Sequence, residues 1–106
     1  MKSVLLDENL PRQLRALMTE FYVVTVSYAG WSGKKNGDLL RSANDQFDVL
    51  LTVDKGIKYQ NNFTGLNIAV VIMEVNSNRL SDIVPILSKV KDAIRGIPVG
   101  QIVKVC

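Results

Sequence analysis

Ile68-Ala69-Val70-Val71-Ile72-Met73-Glu74-Val75 is the stretch that decides the fold. It is almost continuously apolar and rich in β-branched side chains. That pattern suits a strand covered on both faces, as in a parallel sheet packed between helices. Working back along the chain, Asp48-Val49-Leu50-Leu51-Thr52-Val53 and Ser3-Val4-Leu5-Leu6 are shorter runs of the same kind. Each runs into an aspartate, Asp54 and Asp7 respectively. Tyr22-Val23-Val24-Thr25-Val26 reads as another strand, and Gln101-Ile102-Val103-Lys104-Val105 as the last. The short connection through Pro98 and Gly100 leaves the direction of that last strand open.

Helical signals fall between these runs. Asn9-Leu10-Pro11 is a helix start, with proline near the first helical position. Leu14, Leu17, Met18 and Phe21 follow at helical spacing. Residues 27–37 contain Gly30, Gly33 and Gly37 and read as a loop. A helix beginning near Asn36 carries Leu39, Leu40, Ala43 and Phe47 on one face. Residues 55–65 read as a short helical turn and a loop. Residues 79–95 form the last helix, with Leu80, Ile83, Val84, Leu87, Val90 and Ile94 as its apolar stripe. Pro85 is tolerable if the helix begins near Ser81, and Gly96 is placed as a C-cap. Strand and helix alternate, which predicts an α/β fold with a mainly parallel sheet and helices on both faces.

The chain has 106 residues, the length of one ordinary domain. A domain of that size buries roughly two-thirds of its unfolded surface. Apolar residues make up 47% and charged residues 22%, a globular balance that argues against disorder. The sole cysteine, Cys106, excludes an internal disulfide and a multi-thiolate zinc site. There is no histidine, so Ser-His and Cys-His nucleophiles and histidine general bases are excluded. Acid–base or metal chemistry would have to come mainly from carboxylates. No apolar run reaches membrane-spanning length, so the expectation is a cytoplasmic protein without a membrane partner. The net charge of +3 is a mild bias toward polyanions.

In open α/β sheets, ligands bind outside the carboxyl ends of the strands, where the strand order reverses. Asp7 and Asp54 each follow a strand. Asp38 lies in the first turn of a helix that starts on the same side. Three acids from three elements can therefore converge there. With no histidine and no nearby thiol, such a cluster would take a hard ion, Mg²⁺ or Mn²⁺. Each acid also has a purely structural role open to it, as a cap or as a complement to a helix dipole.

Asp7-Glu8-Asn9-Leu10-Pro11 after an apolar strand resembles the opening of the PIN-like family of toxin nucleases. Gly30-Trp31, Gly37-Asp38-Leu39-Leu40, Thr52-Val53-Asp54-Lys55, Asn76-Ser77-Asn78-Arg79-Leu80 and Gly100-Gln101-Ile102-Val103 are similar to its later elements. The resemblance covers nearly the whole of 1–106 in the same order. It implies a PIN-like three-layer α/β/α sandwich with a central, mainly parallel sheet of about five strands, in an order near 2-1-3-4. It also implies a metal-dependent ribonuclease, the toxin of a toxin–antitoxin pair, with Asp7, Asp38 and Asp54 holding Mg²⁺ or Mn²⁺. RNA and an antitoxin protein are the implied partners, with a homodimer as a further expectation. Many members carry another acid two residues after the T-x-D aspartate, where this chain has Gly56.

Other residues extend the candidate site. Asn9 suits a helix cap, or a water-mediated or phosphate contact. Thr52 shares a strand face with Asp54 and suits a hydroxyl that orients that carboxylate. Glu8 is a candidate fourth carboxylate. Lys34, Lys35, Lys55 and Lys58 suit a phosphate backbone. Tyr28, Trp31 and Tyr59 suit base stacking or loop packing. Arg79 suits an acid of the site or a phosphate. A non-catalytic module that binds RNA or a partner protein is the main alternative. A phosphotransfer receiver fits poorly, because no threonine ends the fourth strand and no Lys-Pro pair follows the fifth.

Overall fold

β3 (Val49–Thr52) is buried along its whole length and occupies the centre of the sheet. In this computed structural model residues 1–57 and 65–106 are described. β1 (Ser3–Leu6) and β4 (Ala69–Met73) flank β3, and β2 (Tyr22–Thr25) and β5 (Ile102–Val105) form the edges. The order is β2-β1-β3-β4-β5, and every neighbouring pair is parallel. The direction of the last strand, open from sequence, is thus parallel. β1 and β3 lie side by side, and from them the chain runs to opposite edges. They form the switch point.

The strands alternate between two cores. Val4, Leu6, Val49, Leu51, Val71 and Met73 face one side, with Leu14, Ile83, Val90 and Ile94 packed over them. Leu5, Leu50, Val70 and Ile72 face the other, under Leu39, Leu40 and Ala43 of α1 (Asn36–Ala43). Burial on both faces is why β1, β3 and β4 read as continuous apolar runs. The result is the expected three-layer α/β/α sandwich.

Two helices differ from expectation. Residues 79–95 do not form one helix. They divide into α2 (Leu80–Ile83), a 3₁₀ turn (Val84–Ile86) and α3 (Leu87–Gly96). Pro85 has no N–H to bond the carbonyl one turn back, and its ring crowds that carbonyl. The segment after Pro11 is a 3₁₀ helix of six residues, Arg12–Leu17, with Leu17 40% exposed rather than in the core. With β2 starting at Tyr22, little chain is left for a longer helix, and so short a helix has few bonds to offset its nucleation. The turn expected over 55–65 falls largely on residues 58–64, with Lys58, Tyr59 and Phe63, outside the described residues.

Gly96 is the last residue of α3, without the left-handed backbone of a glycine cap. The end is closed by the Ile97 N–H, which donates to Ala93 O, and by Lys2, whose Nζ donates to Ile94 O at 2.9 Å. A cation there also complements the helix dipole. Glu20 ties the chain before β2 to α3 through Lys91 and Arg95, both at 3.2 Å. Its own backbone N–H, then Lys91 and Arg95, hold the Glu20 carboxyl below its usual range.

Gly100 turns the chain into β5 with φ +74°, and a Cβ there would meet Leu66 O at 2.7 Å. Gly100→Ala is therefore expected to lower stability by about 1–3 kcal/mol in urea unfolding. Gly96 has open space around it. Gly96→Ala is expected to be neutral or stabilising by up to about 1 kcal/mol. Equal effects at the two positions would contradict this backbone account.

Candidate functional site

The crevice at the switch point is built on the register of β1 against β3. Leu6 lies opposite Leu51. The Asp7 N–H then donates to Leu51 O at 3.1 Å, so the ladder runs one step past β1 and brings Asp7 level with the end of β3. There Thr52 is fully buried, the one polar side chain so placed among the described residues. Its hydroxyl donates to Asp7 Oδ2 at 2.6 Å and accepts the Asp54 N–H at 3.0 Å. A hydroxyl has a single proton to give. Here it goes to Asp7, not to the Asp54 carboxylate that the sequence reading assigned to it. The cause is the register: Asp7 faces Thr52 across the sheet, whereas Asp54 lies past the strand end.

Asp54 is held by other groups. The Gly56 N–H donates to its Oδ1 at 2.9 Å, and Asn36 Nδ2 donates to its Oδ2 at 2.6 Å. Asp7 Oδ1 accepts the Glu8 N–H at 2.8 Å. Among the described residues, each of the four carboxylate oxygens accepts one hydrogen bond. Both aspartates are half-buried.

Asn36 is the site residue that sequence reasoning missed, having used it only as a helix start. Asn36 and Asp38 are two positions apart in α1, and helix residues at that spacing do not face each other. α1 thus presents the amide to Asp54, while the Asp38 carboxylate, 58% exposed, pairs with Arg41. No hydrogen bond among the described residues joins Asp38 to Asp7 or Asp54. Among the described residues no group of three His, Cys, Asp or Glu side chains is arranged to hold a metal ion.

The remaining candidates have partners of their own. Glu8 accepts the Gly33 N–H at 3.1 Å and so straps the loop before α1 to the end of β1. Asn9 uses its main-chain oxygen, which accepts from Asn78 Nδ2 at 2.6 Å. Arg79 Nε donates to Ser77 Oγ at 3.2 Å, and its Nη2 lies 3.8 Å from Asp82, so it pairs with neither Asp7 nor Asp54. Lys34, Lys35 and Lys55 are exposed, and Tyr28 is 81% exposed. Trp31 packs edge-on against Phe47 with ring centroids 6.0 Å apart, a loop-packing contact.

The donor set suits a hard divalent ion. Mg²⁺ is commonly held by one or two carboxylates and completed by water and substrate phosphate, rather than by a full protein cage. Asp7 and Asp54, linked through Thr52, are the two carboxylates at this crevice. No protein-family model, no curated protein and no solved structure matches this chain.

Replacing Thr52 by valine keeps the shape but leaves Asp7 without its donor and the Asp54 N–H without its acceptor. Urea unfolding should show a loss of about 1–3 kcal/mol for Thr52→Val. Asp38→Ala breaks an exposed pair and should cost less than about 1 kcal/mol. The reverse ranking would refute the assignment of Thr52 as the structural link of the site.

Proposed function

We propose that the chain is a metal-dependent endoribonuclease of the PIN-like kind, the toxin of a toxin–antitoxin pair, in which Asp7 and Asp54 hold Mg²⁺ or Mn²⁺. The observation that carries this reading is the Thr52 hydroxyl, which joins two carboxylate-bearing segments at the switch point of a parallel sheet. These segments, Asp7–Pro11 and Thr52–Lys55, are the same two on which the family resemblance chiefly rests. When bound, such an ion neutralises phosphate charge and makes a water a nucleophile at neutral pH.

The chain's own groups supply geometry. Thr52 and the Glu8 N–H fix the Asp7 carboxylate; Asn36 and the Gly56 N–H fix that of Asp54. Where related sequences carry a further acid, Gly56 contributes a main-chain donor to Asp54 instead. Asp38 pairs with Arg41 through one of its two carboxylate oxygens. With no histidine in the chain, proton movement falls mainly to carboxylates and water. The net charge of +3 favours a polyanionic substrate.

The second reading is a module of the same fold that binds RNA or a partner protein without cutting. The Asp38 carboxylate favours it, because among the described residues it is bonded to Arg41 and to neither Asp7 nor Asp54.

Purified protein incubated with single-stranded and structured RNA should cleave with Mn²⁺ and stop on adding EDTA. Asp7→Asn should lower the rate by more than the about 10–100-fold typical of losing a group that merely supports a metal ligand. No cleavage, or cleavage unchanged in EDTA, overturns the nuclease reading. RNA that shifts on a gel without being cut selects the second.

A further inference from the structure

The loops after β1 and β4 meet on the side of the sheet opposite α1. Asn78 Nδ2 donates to Asn9 O at 2.6 Å and joins them. Beside this contact lies a groove of about 400 Å³, lined by Asn9, Pro11, Gln13, Asn78 and Arg79, with Leu10 and Leu80 as its apolar part. That volume is at the small end for ligand pockets, about 300–1,000 Å³. It suits a unit of a single-stranded chain better than a duplex.

Arg79 is the sole charged residue in the lining, and its side chain is 77% exposed. Its stem is nevertheless held, since Ser77 Oγ accepts both its backbone N–H at 3.1 Å and its Nε at 3.2 Å. A guanidinium has five N–H donors. The four on its terminal nitrogens make no hydrogen bond to another described residue. Asp82, the nearest acid at 3.8 Å, already accepts the Ser77 hydroxyl and lies outside the lining. A guanidinium fixed at its stem, with Nη2 in an ion pair with Asp82 that at 3.8 Å is too long for a hydrogen bond, keeps N–H donors for an oxyanion. Gln13 and Asn9 add neutral polar groups, and Leu10, Pro11 and Leu80 offer a surface for a sugar or base.

The groove lies at the same end of the sheet as the aspartate pair. Asn9 follows Asp7 by two residues, at most about 7 Å of extended chain. We infer that Arg79 binds a backbone phosphate of single-stranded RNA in this groove, so that the strand crosses the end of the sheet from the groove to the Asp7–Asp54 crevice. That this RNA is a substrate rests on the function proposed above.

The test is fluorescence anisotropy of a labelled single-stranded RNA, titrated with the whole protein in EDTA over a series of salt concentrations. Arg79→Gln should weaken binding several-fold and reduce the slope of log K against log salt by about 0.7, the value of one phosphate contact on a single strand. Lys89→Gln removes the same charge from α3, away from the groove, and should leave the slope unchanged. The inference is overturned if Arg79→Gln matches the parent, if Lys89→Gln loses as much, or if the parent binds no RNA. Binding that depends on Arg79 without Mn²⁺-dependent cleavage upholds the groove and fails the nuclease. Cleavage by the parent with Arg79→Gln binding unimpaired fails the groove and spares the nuclease.

Discussion

A buried hydroxyl at the end of the central strand is the constraint on which the site depends. β3 is covered on both faces, so any polar side chain within it must find partners inside the protein. Thr52 finds two: it donates to the Asp7 carboxylate and accepts from the Asp54 N–H. One satisfied hydroxyl thereby fixes the end of β3, the exit from β1 and the placement of two carboxylates. An apolar residue at this position would pack as well, but it would leave both neighbours without this hydrogen bond. The polar residue in the core is explained by what it holds.

This arrangement divides the aspartates by role. Asp7 and Asp54 are half-buried and aimed by donors that come mostly from the backbone and from Thr52, groups with little freedom to move. Asp38 is exposed and pairs with its own helix neighbour, Arg41. α1 reaches the crevice through Asn36 instead. Glu8 and Asn9 support the loops: Glu8 straps the chain before α1, and Asn9 takes the Asn78 amide. The end of the sheet is thus a frame of short loops tied to one another, with the aspartate pair on the α1 side and the Arg79 groove on the other.

The fold was legible because burial on both faces leaves a plain trace. Val49-Leu50-Leu51 and Ala69-Val70-Val71-Ile72-Met73 are apolar at every position, as a strand covered on both faces requires. Placing Asp7 and Asp54 at strand ends followed directly, since both come right after such runs. The helices were less legible. A proline about one turn into a helix that begins near Ser81 is tolerable by rule, but here the helix begins at Leu80 and the segment divides at Pro85. Leu17 has helical spacing but is exposed, since its short 3₁₀ helix turns it away from the core. The partners of the site were least legible of all. That Thr52 donates to Asp7 depends on register across two strands, and that Asn36 rather than Asp38 meets Asp54 depends on the rotation of α1. Neither is encoded by spacing along the chain.

The central claim is that Asp7 and Asp54 together hold a divalent ion. The most direct measurement is the electron paramagnetic resonance signal of free Mn²⁺ during titration of the metal-free protein. The parent should remove Mn²⁺ from solution in proportion to protein, and Asp7→Asn or Asp54→Asn should each abolish that uptake. Asp38→Asn should retain most of it. A parent chain that takes up no Mn²⁺, or Asp7→Asn and Asp54→Asn variants that take it up as the parent does, would contradict the account.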